Sequence, residues 1–168
     1  MLTERQGPDP AMVHVWGLYA LLANFALWIW GVVVLALLIA PANPGFAVSM
    51  LLVSVLIGAG GSYAWAFLYH HFYHWQFVGE QMHIWRGILF RRRLTIPYMR
   101  IQNATVVQGP LLMIFGLSSI AVETAGPGPF PYGLTSMTGA HLPGVPNGEQ
   151  MADAIIEAAK GARVREGL

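Results

Sequence analysis

The fold of this 168-residue chain is decided by its residues 10–79, which read PAMVHVWGLYALLANFALWIWGVVVLALLIAPANPGFAVSMLLVSVLIGAGGSYAWAFLYHHFYHWQFVG. This stretch contains no Asp, Glu, Lys or Arg, whereas Asp9 precedes it and Glu80 follows it. A soluble domain rarely goes so long without a charge, because its surface faces water. A membrane-spanning helix needs only about 20 apolar residues. The stretch therefore predicts two membrane spans followed by a small charged domain.

Turn-forming residues divide the uncharged stretch into two helices. The segment Pro41-Ala42-Asn43-Pro44-Gly45 consists of residues typical of turns, so we expect spans at about residues 15–40 and 46–69. So short a linker requires an antiparallel hairpin, because a few residues cannot recross a bilayer. We assign residues 1–12 to a polar N-terminal arm, residues 13–75 to the transmembrane hairpin and residues 76–168 to a cytoplasmic domain.

The distribution of arginine predicts the orientation of the hairpin. The linker between the spans is uncharged, whereas four arginines, Arg86, Arg91, Arg92 and Arg93, follow the second span. Arginine near span ends favours the cytoplasmic side. We therefore expect a two-pass protein of the bacterial inner membrane with both termini in the cytoplasm.

Two further features of the second span concern its surroundings. The aromatic residues near its end, which include Trp65, Tyr73 and Trp75, favour the headgroup zone of a bilayer. The small-residue patch Gly58-Ala59-Gly60-Gly61-Ser62 permits close approach of another helix. We expect the patch to pack against the first span, with contact to a second copy in a homo-oligomer as the alternative.

After the spans, the pattern changes to short strands and one helix. Alternating apolar residues predict strands at residues 82–86, 90–96, 104–107, 118–124 and 134–142, with a Pro/Gly loop at residues 126–133. Phe90 is expected on the strand face of Leu94 and Ile96. Asn147 is a suitable N-cap for a final helix whose apolar stripe includes Met151 and Ile155. Strands followed by one amphipathic helix predict an α+β domain in which the helix covers a curled sheet.

Several motifs of this domain resemble a known family. They are Ile96-Pro97-Tyr98-Met99-Arg100-Ile101-Gln102, Gln108-Gly109-Pro110, Phe115-Gly116-Leu117, Val122-Glu123-Thr124-Ala125-Gly126 and His141-Leu142-Pro143-Gly144-Val145-Pro146. With the preceding two-helix hairpin, they resemble the bacterial pleckstrin-homology-like membrane proteins of the YdbS/YdbT type. The resemblance implies two near-orthogonal antiparallel sheets capped by a C-terminal helix, and no catalytic residues.

The arginines are the candidate lipid contacts. Arg91, Arg92 and Arg93, with Arg86 across the predicted hairpin, form the strongest cluster of charge in the sequence. Basic residues near an anionic membrane surface each contribute about 1 kcal/mol of attraction. The other interpretation is a topology signal on a solvated strand face.

Leu112 and Met113 are candidate contacts for a partner or the membrane. The resembled family usually carries a polar pair at these positions, so we expect both apolar side chains to face outward. Exposed apolar patches commonly mark interaction sites.

His70 and His74 are the only candidate metal ligands. Their i,i+4 spacing would place them on one helical face. No acidic or cysteine ligand lies nearby in sequence, so histidine at a membrane interface is the simpler interpretation, and we expect neither a metal nor another cofactor. The chain lacks cysteine and the usual nucleophile, zinc-protease and P-loop motifs, so we expect no enzyme.

These observations lead to one functional hypothesis and two alternatives. We expect a membrane-tethered binding module, a scaffold or adaptor that recognises a membrane-protein partner with help from anionic lipid, and no nucleic acid. The first alternative is a subunit of an oligomeric channel or transporter. The second is a metal-dependent membrane enzyme, which rests on the histidines alone.

Overall fold

The structure, a computed structural model, describes residues 5–124, 139–165 and 167. The chain divides into two compact units. The helical unit is Val13–Leu68, and the second unit combines Met1–Met12 with Tyr69–Leu168. The polar arm and the residues that follow the predicted hairpin therefore belong to one unit.

The helical unit consists of two helices, whose outer ends extend into the second unit. Helix α1 is Met12–Ile39 and helix α2 is Pro44–Phe72. The α2 N-terminus is capped by Asn43, whose Oδ1 accepts a hydrogen bond from the Phe46 N–H at 3.1 Å. Helix α2 is long and apolar enough to cross a membrane, and α1 qualifies only if Met12–Phe25 and Trp30–Ile39 form one bent span. One helix is thus a clear membrane-span candidate.

Contacts inside the helical unit match the expected packing of the small-residue patch only in part. Asn24 Nδ2 donates a hydrogen bond to Ser62 Oγ at 2.7 Å, and the Tyr63 ring lies so close to Gly17 that a Cβ there would be 2.9 Å from it. By contrast, a Cβ added to residue 58, 60 or 61 would have no described atom within 4 Å. The expected packing against the first span therefore holds at Ser62, which belongs to the patch, but not for these three glycines.

The second unit contains two three-stranded antiparallel sheets and a C-terminal helix. The first sheet has the order β1-β2-β3 and the second β4-β5-β6. The elements are β1 (His74–Val78), β2 (Gln81–Arg86), β3 (Arg92–Pro97), a 3-10 turn (Tyr98–Arg100), β4 (Ile101–Val107), α3 (Pro110–Ile114), β5 (Ser118–Thr124), β6 (Gly139–Val145) and α4 (Gly148–Arg165). This architecture is consistent with the α+β fold that the resemblance implies.

The core of the second unit is built from alternating strand residues and one face of α4. Fully buried side chains include Ile84 of β2, Ile120 of β5 and Leu142 of β6. The buried stripe of α4 contains Ala152, Ile155 and Ala159. Of the predicted stripe, Ile155 is buried, whereas Met151, Ala154 and Ala158 are only half-buried. The buried face of α4 is therefore centred about one residue away from the predicted one.

Three predicted elements have different bounds in the structure. Strand β3 begins at Arg92, so Phe90 does not share a strand face with Leu94 and Ile96. Residues 111–115, expected as an apolar turn before the strand at residues 118–124, lie mostly in helix α3. Strand β6 is Gly139–Val145, and residues 126–138, which include the predicted Pro/Gly loop, lie outside the described residues.

The N-terminal arm pairs with the edge strand of the first sheet. The backbone N–H of Gln6 donates to the Trp75 carbonyl, and the Trp75 N–H donates back to Gln6, both at 2.8 Å. Further along, the Asp9 N–H donates to the Gly144 carbonyl at 2.9 Å, and Met12 is buried against Gly144. The arm therefore adds a single bridged residue to the edge of β1, which covers part of an edge that would otherwise be open for pairing.

Candidate functional site

The end of the β2–β3 hairpin collects positive charge. Arg86, the last residue of β2, is paired with Arg92, the first residue of β3, and Trp85 is paired with Arg93. Arg91 directly precedes β3. Like charges directly opposite each other weaken a strand pair, so the Arg86–Arg92 pair does not serve the stability of the hairpin.

Two of these arginines are held on aromatic rings. The Arg93 guanidinium carbon lies 5.4 Å from the centre of the Trp85 ring, and that of Arg91 lies 5.4 Å from the Phe72 ring. Arg5 of the N-terminal arm also lies over Trp85, at 5.2 Å. These distances are typical of cation–π contacts. We call Arg5, Trp85, Arg91 and Arg93 the basic surface.

Two histidines beside the basic surface have lowered pKa values, chiefly because of burial. The pKa of His83 is lowered by partial burial and by the charge of Arg93. The pKa of His74 is lowered by burial and then by the charge of Arg5, with smaller effects from neighbouring histidines. Both shifts favour the neutral form of the histidine, so the positive charge of this surface comes from its arginines.

Arg86 has a different environment from the basic surface. It is half-buried and hydrogen-bonds to the Tyr73 hydroxyl, which in turn donates to the His141 carbonyl. Burial raises the pKa of Tyr73 well above its usual range. Burial and the Arg86 charge lower the pKa of His141. Arg86 is thus tied into the protein interior by these contacts, and its predicted lipid contact stays a prediction.

The aromatic residues expected in the headgroup zone are divided between two environments. Trp65 is exposed, whereas Tyr73 and Trp75 are buried inside the second unit. The headgroup assignment is therefore wrong for Tyr73 and Trp75, because β1 begins at His74 and carries them into the core of a folded domain.

The predicted pairing of His70 and His74 on one helical face is wrong. Helix α2 ends at Phe72, and His74 lies in β1. The His70 Nε2–H donates to the Pro8 carbonyl at 2.9 Å and so helps to hold the N-terminal arm. Among the described residues, no group of three or more His, Cys, Asp or Glu side chains is placed to bind a metal ion.

Leu112 and Met113 differ in their exposure to solvent. Leu112 is 7% exposed and Met113 is 64% exposed. The predicted outward orientation of Leu112 is wrong, because these residues form a helical turn in which neighbouring side chains point in different directions. The exposed apolar pair of this helix is Met113 with Ile114. Contact of Met113 with a partner or the membrane stays a prediction.

Comparison with known proteins agrees with this architecture. A family model described as a bacterial PH domain matches residues 15–159. The chain is a member of the bacterial PH domain family. No curated protein and no solved structure matches it. The family match begins in α1 and ends in α4. It therefore includes the two long N-terminal helices of this PH domain protein as well as its six described strands.

Two features of the PH domain surface were missed from the sequence. Arg5 joins Trp85 only because the arm pairs with β1, and no local pattern indicates that pairing. Leu89 and Phe90 are exposed beside Arg91. A signal for the second feature was available, since three consecutive apolar residues between Gly87 and Arg91 cannot all lie on one face of a strand.

Proposed function

We propose that this PH domain protein is a membrane-tethered binding module of the YdbS/YdbT type at the inner face of the bacterial membrane. It acts as a scaffold or adaptor that recognises a membrane-protein partner, with anionic lipid contributing, and it has no catalytic role. One observation carries the proposal: the last turn of α2, a helix able to span a membrane, already belongs to the PH unit. No linker separates the two, so a membrane-spanning α2 would hold the PH unit at the surface.

The N-terminal arm supports a two-pass arrangement. Gln6 precedes α1 and pairs with Trp75, which follows α2. Both residues must therefore lie on the same side of a membrane. If α2 crosses the bilayer, α1 must cross it as well. The arginines that follow α2 and the uncharged turn at residues 40–43 favour a cytoplasmic PH unit.

The exposed end of α3 is the proposed partner contact. Met113 and Ile114 are both well exposed, and such apolar side chains are favoured where two proteins meet. Methionine adapts its flexible side chain to different partner surfaces. This contact lies on the helix between β4 and β5, and the basic surface lies on the first sheet.

The alternative function, a subunit of an oligomeric channel or transporter, is favoured by a groove in the helical unit. This groove has a volume of about 240 Å³ and is lined by residues of both helices, among them Asn24, Phe25, Gly58 and Ser62. A helix from a second copy would fill such a groove and contact its small residues. A fixed stoichiometry above one in mild detergent would favour this alternative.

Site-specific crosslinking in living cells tests the proposal. A photoreactive residue in place of Met113 should form an adduct of one discrete mass with another membrane protein. The same residue in place of Val164, which is 75% exposed on α4, is the control and should not. The chain itself should stay in the membrane after an alkaline wash.

Each result of this experiment has a defined meaning. Release by the alkaline wash would contradict the tether. Retention without a Met113 adduct would contradict the partner contact. An adduct between two copies of this chain would favour the oligomer.

A further inference from the structure

The tip of the β2–β3 hairpin exposes the most solvated large apolar side chains in the described part of the PH unit. Residues 87–91, here called the hairpin tip, connect β2 to β3. Leu89 is 80% exposed and Phe90 is 81% exposed. The alternating apolar residues of the adjoining strands, such as Ile84 and Ile96, are buried. The tip therefore contributes almost nothing to the core, and its apolar side chains have no structural role within the described residues.

Gly87 holds the tip in a defined shape. Its φ angle is +110°, and a Cβ at this position would lie 2.0 Å from the Phe90 carbonyl oxygen. Only glycine permits this conformation and this close approach. Leu89 and Phe90 are therefore presented by a closed turn. Binding of a ligand then costs little conformational entropy of the loop backbone.

Arginines frame the apolar tip. Arg91 and Arg93 lie on either side of Arg92, with their guanidinium groups over Phe72 and Trp85. Among the described residues, no carboxylate is recorded within ion-pair distance of Arg91 or Arg93. Guanidinium groups bind phosphate oxygens with two parallel hydrogen bonds. Exposed apolar side chains next to these arginines match an anionic lipid surface, which offers phosphates above hydrocarbon.

The tip also lies where α2 ends. Phe72 is the last residue of α2, and its ring contacts Arg91. If α2 crosses a bilayer, its end and the tip beside it lie at the same membrane interface. A water-soluble protein partner would not require this placement, whereas a lipid surface does.

We infer that the hairpin tip inserts Leu89 and Phe90 into the interfacial region of an anionic bilayer while Arg91 and Arg93 bind lipid phosphates. This inference rests on the proposed membrane tether and adds a second attachment point to it. Two neighbouring attachment points, the end of α2 and the tip, would restrict rotation of the PH unit at the membrane more than α2 alone. Met113 is then left available for a protein partner.

Single-cysteine labelling of the full chain tests the inference, because the natural sequence has no cysteine. An environment-sensitive fluorophore is attached to Leu89→Cys or Phe90→Cys in lipid nanodiscs. In nanodiscs with phosphatidylglycerol, both labels should shift to the blue and lose access to a water-soluble quencher. A label at Val164→Cys, which is also exposed, should stay accessible. Two independent label positions keep the test valid if one variant misfolds.

Lipid composition and charge variants separate insertion from other causes. Protection at the tip should be weaker in neutral phosphatidylcholine nanodiscs. The additional substitutions Arg91→Gln and Arg93→Gln should remove the difference between the two lipids. Protection that is equal in both lipids, or that requires other membrane proteins, would overturn the inference.

A label on α2 separates failure of this inference from failure of the tether. Leu56→Cys lies on an exposed apolar position of α2. If its label is protected from the water-soluble quencher and the tip labels are not, the tether stands and tip insertion is wrong. If the Leu56 label is also accessible to water, the proposed membrane tether fails with it.

Discussion

Leu112 and Met113 are adjacent residues with opposite environments. Helix α3 has Gly109 as its N-cap and Pro110 as its first residue, where proline is favoured. Its C-cap is Phe115, which is followed by Gly116 with a φ angle of +65°. Within this single turn, successive side chains lie about 100° apart. Only one of the two side chains can therefore point into the core, and Leu112 does so.

Alanine substitutions should separate the two residues. Leu112→Ala should lower the free energy of unfolding by roughly 2–5 kcal/mol, because it leaves a cavity in the core. Met113→Ala should change it by no more than about 0.5 kcal/mol. Denaturant unfolding of the detergent-solubilised chain, followed by near-ultraviolet circular dichroism, measures both. Similar losses for the two variants would contradict the assigned orientations.

At the level of elements, the N-terminal arm completes the first sheet. Strand β1 lies at the edge of that sheet, and the arm pairs with it through Gln6 and Trp75. The arm is held at further points by His70, whose side chain donates to Pro8, and by Gly144, whose carbonyl accepts from Asp9. The arm thus contacts β1 through Gln6, the end of α2 through Pro8 and β6 through Asp9.

Proline at position 6 tests the contribution of the arm. Gln6→Pro removes the N–H that donates to Trp75 and should lower the free energy of unfolding by about 1–3 kcal/mol. Gln6→Ala is the control, because it keeps the backbone donor. It loses the 3.3 Å hydrogen bond that the Gln6 Oε1 accepts from Trp75 Nε1, which the proline variant loses too, so its effect should be smaller. Thermal unfolding in detergent compares the two. If the proline variant melts like the alanine variant, the pairing of the arm contributes little.

At the level of the whole molecule, the boundary between the units follows the distribution of charge. The helical unit Val13–Leu68 lies entirely within the uncharged stretch, and the charged residues occur in the unit that combines the arm with Tyr69–Leu168. This division is the one that a bilayer would impose, since charged groups are costly in hydrocarbon. It is also consistent with the arm and the PH unit lying on one side.

Reporter fusions test this arrangement. A reporter that is active only outside the cytoplasm should be silent when fused after Leu168 and active when inserted at Asn43, because the uncharged turn is expected outside. A reporter that is active only in the cytoplasm is the control and should show the complementary pattern. The opposite result would reverse the proposed orientation, and silence at both positions would show that the helices do not cross.

Local features of the sequence determined the helices, most strands and the class of the domain. The absence of charge over residues 10–79 is a property of consecutive residues, as is the alternation of Met82 and Ile84 with polar neighbours. Such patterns follow directly from the geometry of helices and strands. The family match over residues 15–159 likewise depends on the amino-acid sequence alone.

Tertiary structure alone decided the make-up of the surface. Arg5 reaches Trp85 only through the pairing of the arm with β1, Leu112 turns inward because α3 forms, and Phe90 is exposed because β3 begins at Arg92. Each outcome depends on contacts between residues far apart in sequence or on an element boundary one or two residues away. Hydrophobicity is a property of each residue, whereas burial depends on what packs against it. The contacts of Arg91 with Phe72 and of Arg5 with Trp85 could therefore be recognised only after the chain had folded.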